Sequence, residues 1–134
     1  MPGITDLNEL IRSMRPVLNA GLYVFCTTQH DRDIDLNDVV GWFREREGAT
    51  VIIEQKKADA LQLSYSYVAA WITLEVHSSL AAVGLTAAFA NALAAAGISC
   101  NVVAGFYHDH IFVAKQDAEK AMAILTQLAG GEIC

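Results

Sequence analysis

The sequence predicts an α+β protein made of two βαββαβ units, the first of them degenerate, with antiparallel sheets and helices on one face. Three observations carry this expectation. β-branched and aromatic runs alternate with segments of helical periodicity. Glycines close the helical segments. A pattern of strand, loop, helix, glycine, strand occurs twice, with Gly48-Ala49-Thr50-Val51-Ile52-Ile53 and Gly97-Ile98-Ser99-Cys100-Asn101-Val102 at matching points 49 residues apart. The expected division is 1–66, an N-terminal helix plus the degenerate unit, and 67–134, the better-kept unit.

Each element has its own signal. In Asp6 to Leu18, Leu7, Leu10, Ile11 and Met14 share a helical face until Pro16 ends or kinks the segment. Leu22 to Thr28 reads as a strand, and Gln29 to Asp33 as a polar loop. Asp35 is placed to cap a helix from Leu36 to Glu47, with Val39, Trp42, Phe43 and Arg46 on one face and Gly48 as its stop. Thr50 to Glu54 is a short buried strand, Lys56 to Leu61 a helical turn, and Leu63 the start of a further short strand. Tyr67 to His77 is the longest strand candidate, followed by the Ser78-Ser79 turn and an Ala-rich helix, Ala82 to Ala96, with Leu85, Phe89 and Leu93 in its apolar stripe. Ser99 to Phe106 and His110 to Ala114 form a hairpin around Tyr107-His108-Asp109, and Asp117 caps a last helix to Leu128. This last half follows the order of the ferredoxin-like arrangement.

Composition narrows the function classes. The chain has 134 residues, 54% hydrophobic and 18% charged, with a formal charge of −6. That excludes a disordered chain and argues against binding nucleic-acid phosphates. No Asp, Glu, Lys or Arg lies between Glu75 and Asp109. Ala81 to Cys100 could span a bilayer by count, but it is dominated by Ala, is punctuated by Gly84 and Gly97, and has no basic flank. It reads as a globular helix, and no membrane partner is expected. Because that helix is neutral on all sides, it is expected to be covered on more than one side, by the other copy or by a second subunit. The first ten residues show no signal peptide, and Cys26, Cys100 and Cys134 follow no metal-ligand spacing, so a cytoplasmic protein is expected.

Three segments of the second half resemble the ACT domain, the small amino-acid-binding module of allosteric enzymes: Glu75-Val76-His77-Ser78-Ser79 leading to Val83-Gly84-Leu85, then Ala95 to Val103, then Tyr107 to Val113. The resemblance is to short bacterial tandem-ACT proteins related to the ACT pairs of cytosolic arginine sensors and aspartokinases. It covers 67–129 well and 20–65 loosely. It implies a ligand where the strand-to-helix loop meets a second ACT domain, with Ser78, Ser79, Val83, Gly84 and Leu85 as site residues and Asn101, Tyr107, His108 and Asp109 within reach. His30 and Asp31 occupy the matching loop of the first copy. Many ACT domains carry Asp and Pro ahead of the loop glycine, where this chain has Ser78 to Val83.

Physical chemistry supports the same residues. Free N–H groups at a helix N-terminus accept a carboxylate, Gly84 permits close approach of a ligand to the backbone, and Asn101 can donate or accept at a ligand's polar end. On this reading Gly84→Val abolishes the ligand response and leaves the fold intact. No nucleophile elbow, phosphate loop or zinc-protease motif is present, so no catalytic residue and no cofactor are expected. The expected function is a non-catalytic regulatory module that binds an amino acid or similar zwitterion and forms a homodimer or higher homo-oligomer. The alternatives are a dimerisation module without ligand, and a small metal-dependent enzyme using His77, His108 and His110; the favoured reading assigns no metal.

Overall fold

A computed structural model of the chain describes residues 6–76 and 83–130. In chain order the elements are α1 (Leu7–Ser13), β1 (Arg15–Leu18), β2 (Tyr23–Thr28), a 3-10 turn (Leu36–Asp38), β3 (Val39–Arg44), β4 (Ala49–Glu54), α2 (Gln55–Ala60), β5 (Val68–Glu75), α3 (Leu85–Ala95), β6 (Asn101–Ala104), β7 (Asp109–Ala114), a second 3-10 turn (Lys115–Asp117) and α4 (Ala118–Gly130). They form two compact units. One is the middle of the chain, Ala20–Ala70; the other joins Met1–Asn19 to Trp71–Cys134. We call them the middle and the split unit. β5 runs from one into the other.

In the middle unit the strand order is β3-β4-β2-β5, all antiparallel, with β5 contributing Val68 and Ala69 opposite Val24 and Tyr23. Numbered along the unit, this is the 4-1-3-2 order of a ferredoxin-like sheet, read from β5. Val24 and Cys26 of β2 and Val51 and Ile53 of β4 point to one face, where Ala58 of α2 and Leu63 close the core. The expected Lys56 helical turn is α2, whereas Leu63 is buried without starting a strand.

The split unit has the order β1-β5-β7-β6. It is the same 4-1-3-2 sheet, but its fourth strand comes from the N-terminus. β1 pairs antiparallel with the far end of β5, Arg15 opposite Glu75 and Leu18 opposite Ile72. α4 packs on α3, α1 and β1. Leu10 of α1, Phe89 and Leu93 of α3, Ile111 and Val113 of β7 and Leu125 of α4 are fully buried. Each such side chain contributes about 1.5–3 kcal/mol relative to exposure.

Three expectations change. The first helix stops at Ser13, with Asp6 accepting from the Glu9 N–H at its start, and Met14 is already extended. Pro16 has no N–H to continue a helix, and it sits instead in β1, a strand paired on one side. With it, the segment grouped by sequence with the first unit joins the second, because Leu10 and Met14 find their core there. The third change concerns Leu36 to Glu47. Asp35 does cap, accepting from the Asn37 N–H, but only the three-residue turn Leu36–Asp38 follows. Val39-Val40-Gly41-Trp42-Phe43 is β-branched, aromatic and interrupted by glycine, and it pairs with β4. Its helical spacing is coincidental.

Gly48 is therefore no helix stop. It closes a hairpin in which the Glu45 N–H donates to the Gly48 carbonyl, and a Cβ there would lie 2.7 Å from the Thr28 carbonyl oxygen. The matching turn of the split unit has the Gly105 N–H donating to the His108 carbonyl. Glu45 to Gly105 and Gly48 to His108 are offsets of 60, while the buried first-strand positions Val24 and Ile72 are 48 apart. The copies thus differ by an insertion about as long as α3, which stands where the middle unit has one 3-10 turn.

α3 buries Leu85, Phe89 and Leu93. Thr86, Ala87, Asn91, Ala94 and Ala95 face solvent, so within the described residues the neutral helix is covered along one stripe only.

Candidate functional site

The loop glycine is the best-defined part of the predicted site. Gly84 is the N-cap of α3, held at φ 102° and ψ −20°, and it offers the helix no side-chain cap. Its carbonyl accepts from the Ala88 N–H, so the helix starts in full register. A left-handed N-cap without a side chain leaves the first-turn N–H groups with no cap from that residue. Leu7 of α1 lies over the glycine: a Cβ at Gly84 would be 3.1 Å from Leu7 Cδ2. Leu85 turns into the core and presents only its backbone, while Val83 is 83% exposed. Ser78 and Ser79, with His77, lie outside the described residues.

β7 runs opposite to β5. Trp71 stacks near Phe112 and His110, with centroids at 6.1 and 5.8 Å, and Thr73, further along β5, meets His110. The turn 105–108 thus lies toward the C-terminal end of β5, the end from which the chain proceeds to α3. Tyr107, His108 and Asp109 share that end of the sheet with the α3 N-terminus. Asn101 does not. It pairs with Phe112 at the other end of β6, about 10 Å along the strand from Ala104 and Asp109. Its side-chain amide donates to the Phe112 carbonyl at 3.3 Å.

At the tip, Tyr107 is 75% exposed and packs edge-on against Phe106. His108 Nδ1 is buried with no hydrogen-bond partner among the described residues. Burial pushes the Asp109 carboxyl above its ordinary range, with His110 and His108 opposing the shift. Cys100, the half-buried neighbour of β6, has its thiol pushed up to about 11 by desolvation, so it stays protonated at neutral pH.

Below the tip lies a network that sequence reasoning missed. The Trp71 Nε1–H donates to His110 Nδ1 at 3.1 Å, and Thr73 Oγ1 lies 3.1 Å from the same nitrogen. Asn19 Nδ2 donates to Thr73 Oγ1 at 3.0 Å and to the Trp71 carbonyl at 3.2 Å. An indole can only donate. Nδ1 must therefore accept, and His110 is held neutral with its proton on Nε2. Burial and then the neighbouring His108 lower its pKa from the ordinary histidine value, in agreement with that tautomer. The signal that could have found the network is the alternation Trp71, Thr73 on one strand and His110, Phe112 on another, which puts all four on one face.

The first copy has no counterpart. His30 Nε2 lies 2.6 Å from the Glu45 carbonyl oxygen, and beyond exposed Asp31 the chain enters a three-residue turn rather than a helix. Among the described residues no group of three His, Cys, Asp or Glu side chains could hold a metal ion, and no helix is long and apolar enough to cross a membrane.

Comparison with known proteins adds to this geometry. Two family models, each described as an ACT domain, match residues 2–70 and 60–127. A Vibrio cholerae protein of unknown function, described as a possible transport protein, is 48% identical, covers 92% of this chain and 95% of its own, and superposes with a TM-score of 0.79. A putative C-terminal regulatory domain of aspartate kinase from Porphyromonas gingivalis shares the fold at 14% identity, 88% and 98% coverage and a TM-score of 0.58. Aspartate kinase from Clostridium acetobutylicum does so at 11% identity, over 89% of this chain and 34% of its own, with a TM-score of 0.61. No curated protein matches the chain. Two tandem matches, on a strand order that contains the 4-1-3-2 arrangement twice, establish that the chain belongs to the ACT domain family.

Proposed function

We propose that the chain is a non-catalytic regulatory module of the cytoplasm that binds an amino acid or a similar small zwitterion. The observation that carries this reading is the start of α3, an eleven-residue helix with an uncapped glycine N-cap, at the same end of the sheet as Tyr107, His108 and Asp109. The ligand's carboxylate meets the N–H groups of the first turn near Val83, Gly84 and Leu85. Its ammonium group faces Asp109, which ionises when a cation displaces the low-dielectric surroundings that hold it protonated at higher pH than usual. Ser78 and Ser79, ahead of Val83 in the sequence, are the further polar groups offered to the ligand. Asn101, directed to Phe112 at the far end of β6, supports the strand pair rather than the same ligand. The ligand acts by favouring one association state of the protein over another; without differential binding nothing is signalled.

ACT domains are typically regulatory ligand-binding modules, and the fold is shared with regulatory domains of aspartate kinases. A thermal-shift titration with the common amino acids tests the reading. The expected result is a melting temperature that rises with concentration for one or a few of them, by about 2.7 kcal/mol of stabilisation at a hundredfold excess over Kd. A flat response to all of them sinks it.

A further inference from the structure

The hairpin tip of the split unit sits on one histidine ring. Phe106 and Tyr107 are 77% and 75% exposed and pack on each other, so they give the turn 105–108 no buried anchor. His110 lies against the turn. A Cβ at Gly105 would be 3.2 Å from His110 Nε2 and 3.3 Å from its Cδ2, and 2.8 Å from the His108 carbonyl oxygen that accepts from the Gly105 N–H. Glycine is what lets ring and turn approach this closely. The opposite side of the same ring, Nδ1, faces β5, where it accepts from the Trp71 Nε1–H with Thr73 Oγ1 at the same distance. The ring is a wedge between β5 and the turn.

Two donors converge there on one lone pair, and a proton arriving at Nδ1 affects them differently. The Thr73 oxygen can change from donor to acceptor, since Asn19 Nδ2 occupies only one of its two lone pairs. The Trp71 N–H cannot, and donor then faces donor at 3.1 Å. The ring has to move away from Trp71, and the edge that leads is Nε2–Cδ2, against Gly105. We infer that His110 is a proton-operated positioning residue for the hairpin tip: neutral, it seats the turn 105–108 on the sheet, and protonated, it pushes the turn away. Burial opposes the proton most, His108 next, and Asp109 favours it. On β1 and β5 the ionisable groups of this face are Arg15 and Glu75, 4.0 Å apart and beyond Thr73. β6 sets Val103 opposite His110 and contains no ionisable group. Because the tip carries Tyr107, His108 and Asp109, acid also disarranges the proposed amino-acid site; that consequence rests on the amino-acid reading, whereas the movement of the tip does not.

NMR of the full chain, titrated from about pH 7.5 to about 4.5, follows ring and turn separately. The Gly105 and Tyr107 amide signals are expected to shift with the midpoint of the His110 imidazole, below the ordinary 6.5. Exchange of the Gly105 amide, corrected for the intrinsic effect of pH, is expected to rise roughly tenfold or more across that midpoint. His110→Gln offers Trp71 a neutral acceptor and is expected to hold the turn in its high-pH state throughout. His108→Gln is expected to keep the transition. A turn that stays constant while the His110 ring titrates overturns the inference, as does a transition that persists in His110→Gln or follows His108 or Asp109 instead. If His110→Gln does not fold, the wild-type midpoints decide, because the two imidazoles and the carboxyl give separate signals. A turn that moves with His110 while no common amino acid raises the melting temperature upholds the inference and removes the ligand reading alone.

Discussion

The middle and split units solve one sheet topology with different amounts of helix. The split unit places α3 and α4 on its sheet and seals Phe89, Leu93 and Leu125 beneath them. The middle unit has six-residue α2 and a single 3-10 turn, and its β3 leaves Trp42 39% exposed with an arginine laid across it. The sheet therefore specifies the fold, and the first helix can be reduced to one turn without changing strand order. What is lost with the helix is its N-terminus. The middle unit thus has no counterpart of the α3 start at the loop after its first strand.

The largest effect should come from testing where the cores lie. Phe89→Ala removes a fully buried ring between α3 and the split unit's sheet, and about 3–5 kcal/mol should be lost in chemical denaturation. Trp42→Ala in the middle unit removes a ring that is already half in water, and about 1 kcal/mol should be lost. Equal losses would mean that the missing helix is replaced by another cover over β3, and the contrast between the units would fail.

The same contrast explains what the sequence could and could not tell. Buried strands were readable because Val24, Val51, Ile72 and Ile111 sit in β-branched runs. α3 was readable because Leu85, Phe89 and Leu93 recur at helical spacing before Gly97. The segment 36–47 was misread because Val39, Trp42 and Phe43 fit a helix by spacing alone, and only pairing with β4 decides against it. The N-terminal segment was misplaced for a deeper reason. Joining β1 to β5 closes a loop of more than fifty residues, and local sequence carries no record of so distant a partner. Of the site, the loop glycine and the hairpin tip were legible as motifs. The Asn19, Trp71, Thr73 and His110 network was not, because it spans three separate strands or their ends.

A middle-sized effect is expected at Gly84. The positive φ and the Leu7 methyl at 3.1 Å mean that Gly84→Val is strained even without a ligand. A loss of about 1–3 kcal/mol is expected. The sequence expectation that the fold would be untouched is thereby revised. Gly84→Ala combined with Leu7→Ala removes the side-chain collision and leaves only the φ penalty, so it should recover part of that stability. Gly97→Ala, at φ 77° with nothing within 4 Å, calibrates the φ penalty alone. If Gly84→Ala/Leu7→Ala is no more stable than Gly84→Ala, α1 does not press on the glycine.

The smallest expected effect is the most specific to the split unit, because the middle unit has no counterpart of His110. The folded protein holds His110 neutral, with a pKa below its ordinary value, chiefly through burial and secondarily through His108. Below the ordinary value of 6.5 the unfolded chain takes up this proton while the folded chain does not. Stability is thus full above that pH and is lost as pH falls toward and through the folded pKa. Asp109 works with the other sign: its raised folded pKa favours the folded state once pH drops below that pKa, and this contribution is lost as pH rises through it. Protonation at His110 Nδ1 sets a donor against the Trp71 indole N–H, so that hydrogen bond must break. The melting temperature of the wild type should fall between pH 7.5 and 5.5, and His110→Gln should flatten that part of the curve. In a Trp42→Phe background, Trp71 fluorescence should titrate over the same range. A fluorescence signal with no change of stability would mean that the network bends to accept the proton, and that the neutral tautomer is a preference of the folded state rather than one of its supports.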